Sequence, residues 1–198
     1  MKNSNRQAEL VKQLSDKELT IHLLITQAIM LGLSFLLFLL FRKKWHEYVE
    51  LVSWNVEYVA IGVAGGFLVV LLDLFLMNLL PSHYYDDGGI NERIFSTRSY
   101  PYIAFLALLI AFCEEWLFRG VLQFNIGWFW ASLIFAVIHI RYWRSGFLIL
   151  NVTLLSFLIG WIFHVTGSLL VTIVMHFLID FLLGIHIRRN AIRQKINR

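Results

Sequence analysis

The stretch IAFCEEWLFRGVLQF, residues 110–124, sets Glu114, Glu115 and Arg119 inside a run otherwise greasy enough to lie in a membrane. Working outward, ASLIFAVIHI (131–140) carries His139, and LLVTIVMHFLIDFLL (169–183) carries His176 and Asp180. An ionisable side chain in the hydrocarbon core costs at least ~2.5–3.5 kcal/mol on insertion scales, so sequences rarely hold one there without a use. Six such groups in one half of a 198-residue chain mark a site, and the mixture of acids and imidazoles points to catalysis.

Composition agrees with the membrane reading. Hydrophobic residues make up 59% and charged residues 15%, with mean hydropathy +0.69, whereas soluble domains are about 25% charged. The expected fold is all-α: a polytopic transmembrane helical bundle of about six spans, with a four-helix catalytic core in the C-terminal half. Those spans are His22 to Phe41, Val59–Leu80, Tyr102–Phe124, Ile126–Ile140, Gly146–Val165 and Ser168–Ile185, each judged against the ~20 apolar residues that a crossing needs. The fourth is short and is expected to be tilted, broken or sunk in the bundle. Trp45, Trp54, Trp128 and Trp143 near span ends suit the headgroup interface.

Four regions follow. Residues 1–20 are polar, with Leu10, Val11, Leu14 and Leu19 roughly on one face, and are expected to lie along the membrane surface. Residues 21–101 hold two spans and a loop; the second span carries Gly62 and Gly66 at a spacing that lets helices approach, and Asp73, expected to bond a neighbouring helix. Pro81 stops that span, and Asp86-Asp87-Gly88-Gly89 reads as a turn. Residues 102–187 form the catalytic core, and 188–198 a basic tail expected to be a solvated anchor for anionic headgroups.

The net charge of +4 sits mostly in termini and short loops, which argues against nucleic acid as a partner and for membrane orientation. With six spans and an inside N-terminus, Lys and Arg number thirteen inside against three outside, the discordant cluster being Arg42, Lys43 and Lys44. Both termini are therefore expected in the cytoplasm of a cell membrane. The first apolar run reads as an uncleaved anchor.

On a helix Glu115 and Arg119, four apart, share a face and can pair, while Glu114 is rotated by roughly 100° toward something else. One acid can serve as a structural partner and the other as a proton acceptor. His176 and Asp180, also four apart, share a face of the last span. Together with His139 they could converge on a polar cavity that holds a water, or on a divalent metal such as zinc. Cys113 beside Glu114 invites a cysteine–histidine reading, but a buried thiol next to carboxylates is poorly placed to ionise and reads as packing. Asn151 and Ser156 read as interhelical donors, and His22, His164 and His186 as interfacial.

EEWLFR (114–119), FAVIH (135–139) and HFLID (176–180) resemble the three motifs EExxxR, FxxxH and Hxxx(N/D) of the CAAX protease and bacteriocin-processing family, in the family's order. The resemblance covers about residues 100–187. It implies an intramembrane endopeptidase, similar to type II CAAX prenyl proteases, acting on a membrane-embedded protein or peptide. Under it Glu114 activates water, His139 helps position that water, and His176 with Asp180 stabilises the oxyanion, while Glu115 and Arg119 hold the geometry. It leaves open whether a metal takes part. An ionised Asp180 cannot donate a hydrogen bond as the family's Asn can; it donates only if burial keeps it protonated, and orienting His176 or ligating a metal are the other roles open to it. Few spans before the core suit a bacterial protein. Two other functions compete: a proton relay, which would show repeat-related halves that the sequence lacks, and a non-proteolytic immunity or scaffold protein keeping the same fold.

Overall fold

The computed structural model describes residues 13–42, 44–52, 54–143 and 145–196, and every regular element among them is helical. Residues 1–12, Lys43 and Arg144, which enter the surface-helix and charge-orientation readings above, lie outside the described residues. Five helices are long and apolar enough to cross a membrane: α1 (Asp16–Phe41), α3 (Val56–Leu79), α5 (Tyr100–Ile126), α7 (Gly146–Thr166) and α8 (Leu169–Ile196). The short apolar α6 (Trp128–Ile138) stands between α5 and α7. Two six-residue helices, α2 (Trp45–Glu50) and α4 (Ile90–Phe95), occupy connections that the sequence reads as plain loops. The bundle is thus the all-α polytopic fold expected.

These helices turn their small and polar residues inward. On α1 the buried residues are Leu19, Thr20, Gln27 and Ser34, while Ile29, Phe35, Leu36 and Leu40 are exposed. With lipid outside there is no gain in hiding leucine, so close backbone approach and interhelical hydrogen bonds decide which face packs. On α3 that face is Gly62, Gly66 and Val70. A Cβ at Gly62 would lie 2.5 Å from the Val171 carbonyl oxygen, and one at Gly66 would lie 3.0 Å from the Leu178 Cβ. The glycine pair therefore sets the α3–α8 contact. Asp73 accepts a hydrogen bond from Asn151 Nδ2 at 3.1 Å, linking α3 to α7 as its lone position in the span suggests.

Two boundaries differ from the sequence reading. The first helix starts at Asp16, six residues before the apolar run, because Ser15 and Glu18 form a capping box that satisfies both backbone N–H groups. The last helix continues through the basic tail to Ile196, so residues 188–196 are not a separate segment. Arg188 donates to the Ser96 carbonyl, and Arg93 pairs with Asp16 at 3.0 Å. Arg98 donates to the Thr20 hydroxyl at 2.8 Å. Basic residues that read as solvated instead brace α1, the 81–99 connection and α8 against one another.

Candidate active site

The third span changes winding where its glutamates stand. It is α-helical over Tyr100–Glu115 and π-helical over Trp116–Gln123, with Glu114 and Glu115 closing the α-helical part. Wider π turns are rare and collect at functional sites. The expected Glu115–Arg119 pair survives the altered winding, with Arg119 Nε 3.4 Å from Glu115 Oε2 and neither side chain exposed.

Arg119 is the hub of the buried polar layer. Its Nη1 donates to Ser132 Oγ on α6 at 3.3 Å and its Nη2 to Ser156 Oγ on α7 at 3.1 Å. The two serines also bond across the helices, Ser156 Oγ to the Ser132 carbonyl at 3.1 Å and Ser132 Oγ to the Ser156 carbonyl at 3.3 Å. The guanidinium carbon stands 5.4 Å from the centre of the Phe135 ring, within cation–π range. Beneath this layer Gln123 Nε2 donates to the Gly160 carbonyl at 2.6 Å, where an added Cβ would stand 2.7 Å from Ser132 Oγ. One cation thus ties three spans to Glu115.

Glu115 in turn fixes His176. Oε1 of Glu115 is 2.9 Å from His176 Nδ1, and a carboxylate oxygen accepts, so Nδ1 carries the proton. Orientation of His176, a task left open to Asp180 above, falls to Glu115 instead. The other nitrogen, Nε2, faces Glu114 Oε2 at 3.9 Å and Asp180 Oδ2 at 3.7 Å. Those separations exceed a hydrogen bond but allow a water or substrate oxygen to be shared at about 2.8 Å from each. Glu114 is largely buried, whereas the Asp180 side chain keeps 28% of its surface accessible. Asp180 therefore marks the open side.

His139 caps α6 and is half-buried. Its Nδ1 lies 2.7 Å from the Phe135 carbonyl, which can only accept, so Nδ1–H donates and the neutral ring presents an unprotonated Nε2. The ring is close enough to His176 for the two to interact electrostatically. The structure thus brings Glu114, Glu115, Arg119, His176 and Asp180 into one contiguous set, with His139 beside it. Cys113 is buried and has no imidazole partner among the described contacts.

Sequence reasoning missed Ser132, the second half of Arg119's fork, and Thr172, whose hydroxyl lies beside Glu115 one turn before His176. Ser132 stands three residues before Phe135, a spacing that offers a signal once that helix face is known to be internal. Tyr142, just after His139, also carries no signal in the sequence reading; burial pushes its phenol up from its ordinary range.

His, Glu and Asp are suitable zinc donors, yet among the described residues no three His, Cys, Asp or Glu side chains come together to hold one ion.

The fold and site define a multi-pass helical membrane protein with a buried Glu–Arg–His–Asp constellation. Comparison with known proteins places that class. The family described as type II CAAX prenyl endopeptidase Rce1-like matches residues 96–182, which include all three motifs. The chain is 51% identical over 133 residues to the Bacillus subtilis (strain 168) protein titled "Uncharacterized protein YpbD", covering 67% of this chain and 70% of that one. The chain belongs to the CAAX protease and bacteriocin-processing family. No solved structure matches it.

Proposed function

We propose that this protein is an intramembrane endopeptidase that hydrolyses a peptide bond in a membrane-embedded protein or peptide, with both its termini in the cytoplasm. The reading rests most on one observation: His176 is bonded through Nδ1 to Glu115 and faces Glu114 and Asp180 through Nε2.

In the proposed reaction a water lies between Glu114 and the imidazoles. Glu114 takes one of its protons as the oxygen attacks the peptide carbonyl. The unprotonated Nε2 of His139 accepts a hydrogen bond from that water and aims it. As the tetrahedral oxyanion forms, His176, carried as the imidazolium among the Glu114, Glu115 and Asp180 carboxylates, donates its Nε2–H to it on the open side. The Glu114 proton then passes to the leaving amine, the C–N bond breaks, and the products are a carboxylate and an amine. Glu115 and Arg119 touch no reacting atom. They hold the His176 ring in register, so that donors need no rearrangement during the reaction. No step requires a metal.

The test is cleavage of a membrane-peptide library by protein purified in detergent, read by mass spectrometry. Glu114→Gln and His139→Ala should each abolish cleavage while leaving the protein folded. Folded wild-type protein that cuts nothing, or cutting indifferent to Glu114, would transfer the site to a binding role in an immunity or scaffold protein.

A further inference from the structure

The turn after His139 carries an aromatic side chain that the proposed reaction leaves unused. The Tyr142 ring lies 5.8 Å from the His139 ring, centroid to centroid, with only 14° between planes. Phe135, one turn earlier, stands 4.5 Å away at 33°. These separations fall in the range where ring pairs attract beyond simple burial. His139 thus contacts two rings, with its Nδ1–H on the Phe135 carbonyl and its Nε2 unbonded among the described residues.

Tyr142 is itself held. The Arg141 guanidinium lies 4.5 Å from its ring centre and donates to its hydroxyl. Asn91 and Asp87, from the connection between α3 and α5, lie beside the same hydroxyl. That connection is secured to the start of α7 by Ser145 Oγ, which donates to the Tyr84 carbonyl at 2.5 Å. The nearly parallel Tyr142 and His139 rings resist rotation of either one, because turning the imidazole out of plane loses the stacked contact. The Nδ1–H tautomer depends on that rotation: if the ring swings away from the Phe135 carbonyl, nothing selects which nitrogen keeps the proton.

We propose that Tyr142 is a positioning residue for His139: its ring fixes the imidazole plane and tautomer. The role in catalysis rests on the protease reading above; the effect on the imidazole does not.

The experiment therefore has two readouts. Protein labelled with nitrogen-15 histidine in detergent micelles reports the His139 tautomer by NMR, assigned by the signal lost in His139→Gln. Wild type should show a single Nδ1–H form. Tyr142→Ala should show a mixture of tautomers, and Tyr142→Phe, which keeps the ring, should restore the single form. In the cleavage assay Tyr142→Ala should lower kcat ~10–100-fold, the cost of a misplaced catalytic group, with KM within about twofold. Tyr142→Phe should recover most of the loss.

A single Nδ1–H form in Tyr142→Ala would overturn the proposal, as would equal loss of kcat in the Phe and Ala variants. If wild type cleaves nothing, the protease reading fails while the tautomer measurement still decides the role of Tyr142. Should Tyr142→Ala fail to fold, Tyr142→Leu, which fills the space without an aromatic face, is carried through the same measurement with the same two outcomes.

Discussion

Replacing Arg119 by methionine tests whether the buried cation organises the site. The side chain has no solvent exposure and neither has Glu115, so the change removes a charge from an interior that still holds its partner. Breaking a buried ion pair from one side costs about 3–5 kcal/mol in soluble proteins. Polar contacts between membrane helices average nearer ~0.6 kcal/mol, because the unfolded spans find other partners. The larger figure should govern here, since the Ser132 and Ser156 contacts go with Arg119 and Glu115 keeps only His176 and the Thr172 hydroxyl. We expect Arg119→Met to destabilise by about 3 kcal/mol, the lower end of that range, because His176 still offers Glu115 a proton. Adding Glu115→Gln should recover more than half of the loss, since the stranded charge goes with it. Arg119→Lys keeps the charge but cannot span both serines, and should cost about 2 kcal/mol. Reversible unfolding in mixed micelles measures each value. A loss below about 1 kcal/mol for Arg119→Met, or a double variant as unstable as the two single changes added, would refute the reasoning.

Gly62→Ala places a Cβ 2.5 Å from a backbone oxygen of α8, and Gly160→Ala places one 2.7 Å from Ser132 Oγ; each should lower stability by about 1–3 kcal/mol in the same assay. Gly32→Ala, with nothing within 4 Å of the new atom, should leave stability unchanged or slightly raised. Treatment with a zinc chelator should leave cleavage intact, measured on the same library substrate; activity lost with the chelator and restored by zinc would return the metal to the mechanism.

The spans and the acid–histidine constellation were legible because each is a local contrast: charge where composition forbids it, or twenty apolar residues between stops. Glu115–Arg119 and Asp73–Asn151 formed as their positions implied. What stayed hidden depends on partners distant in sequence. Nothing in WLFRGVLQ announces a π winding, or that Arg119 reaches two serines on other helices. Helix α2 forms in a short connection because Tyr48 is buried against Val121, Phe163, Leu169 and Ile173, and α4 because Ile94 and Phe95 pack on Ile103 and Leu106. The basic tail looked solvated because hydropathy cannot see the Ser96 carbonyl awaiting Arg188.

The length of α6 links this architecture to hydrolysis. Its 11 residues rise about 16 Å at 1.5 Å each, half of a ~30 Å hydrocarbon core. A helix ending there exposes carbonyls that lipid cannot satisfy, so such breaks persist only inside protein or beside a water-filled cavity. Here the Phe135 carbonyl takes His139 Nδ1–H, the His139 carbonyl takes the Tyr142 N–H at 2.9 Å, and the Tyr142 carbonyl takes the Ser145 N–H at 3.0 Å. The turn is thus nearly self-sufficient, and α6 can stop at His139 instead of carrying it through the bilayer. Peptide hydrolysis needs water beside a bond that begins in lipid. In the proposed reaction a helix that stops at His139, with Asp180 open to the surface, meets both requirements while the layer around Arg119 stays buried.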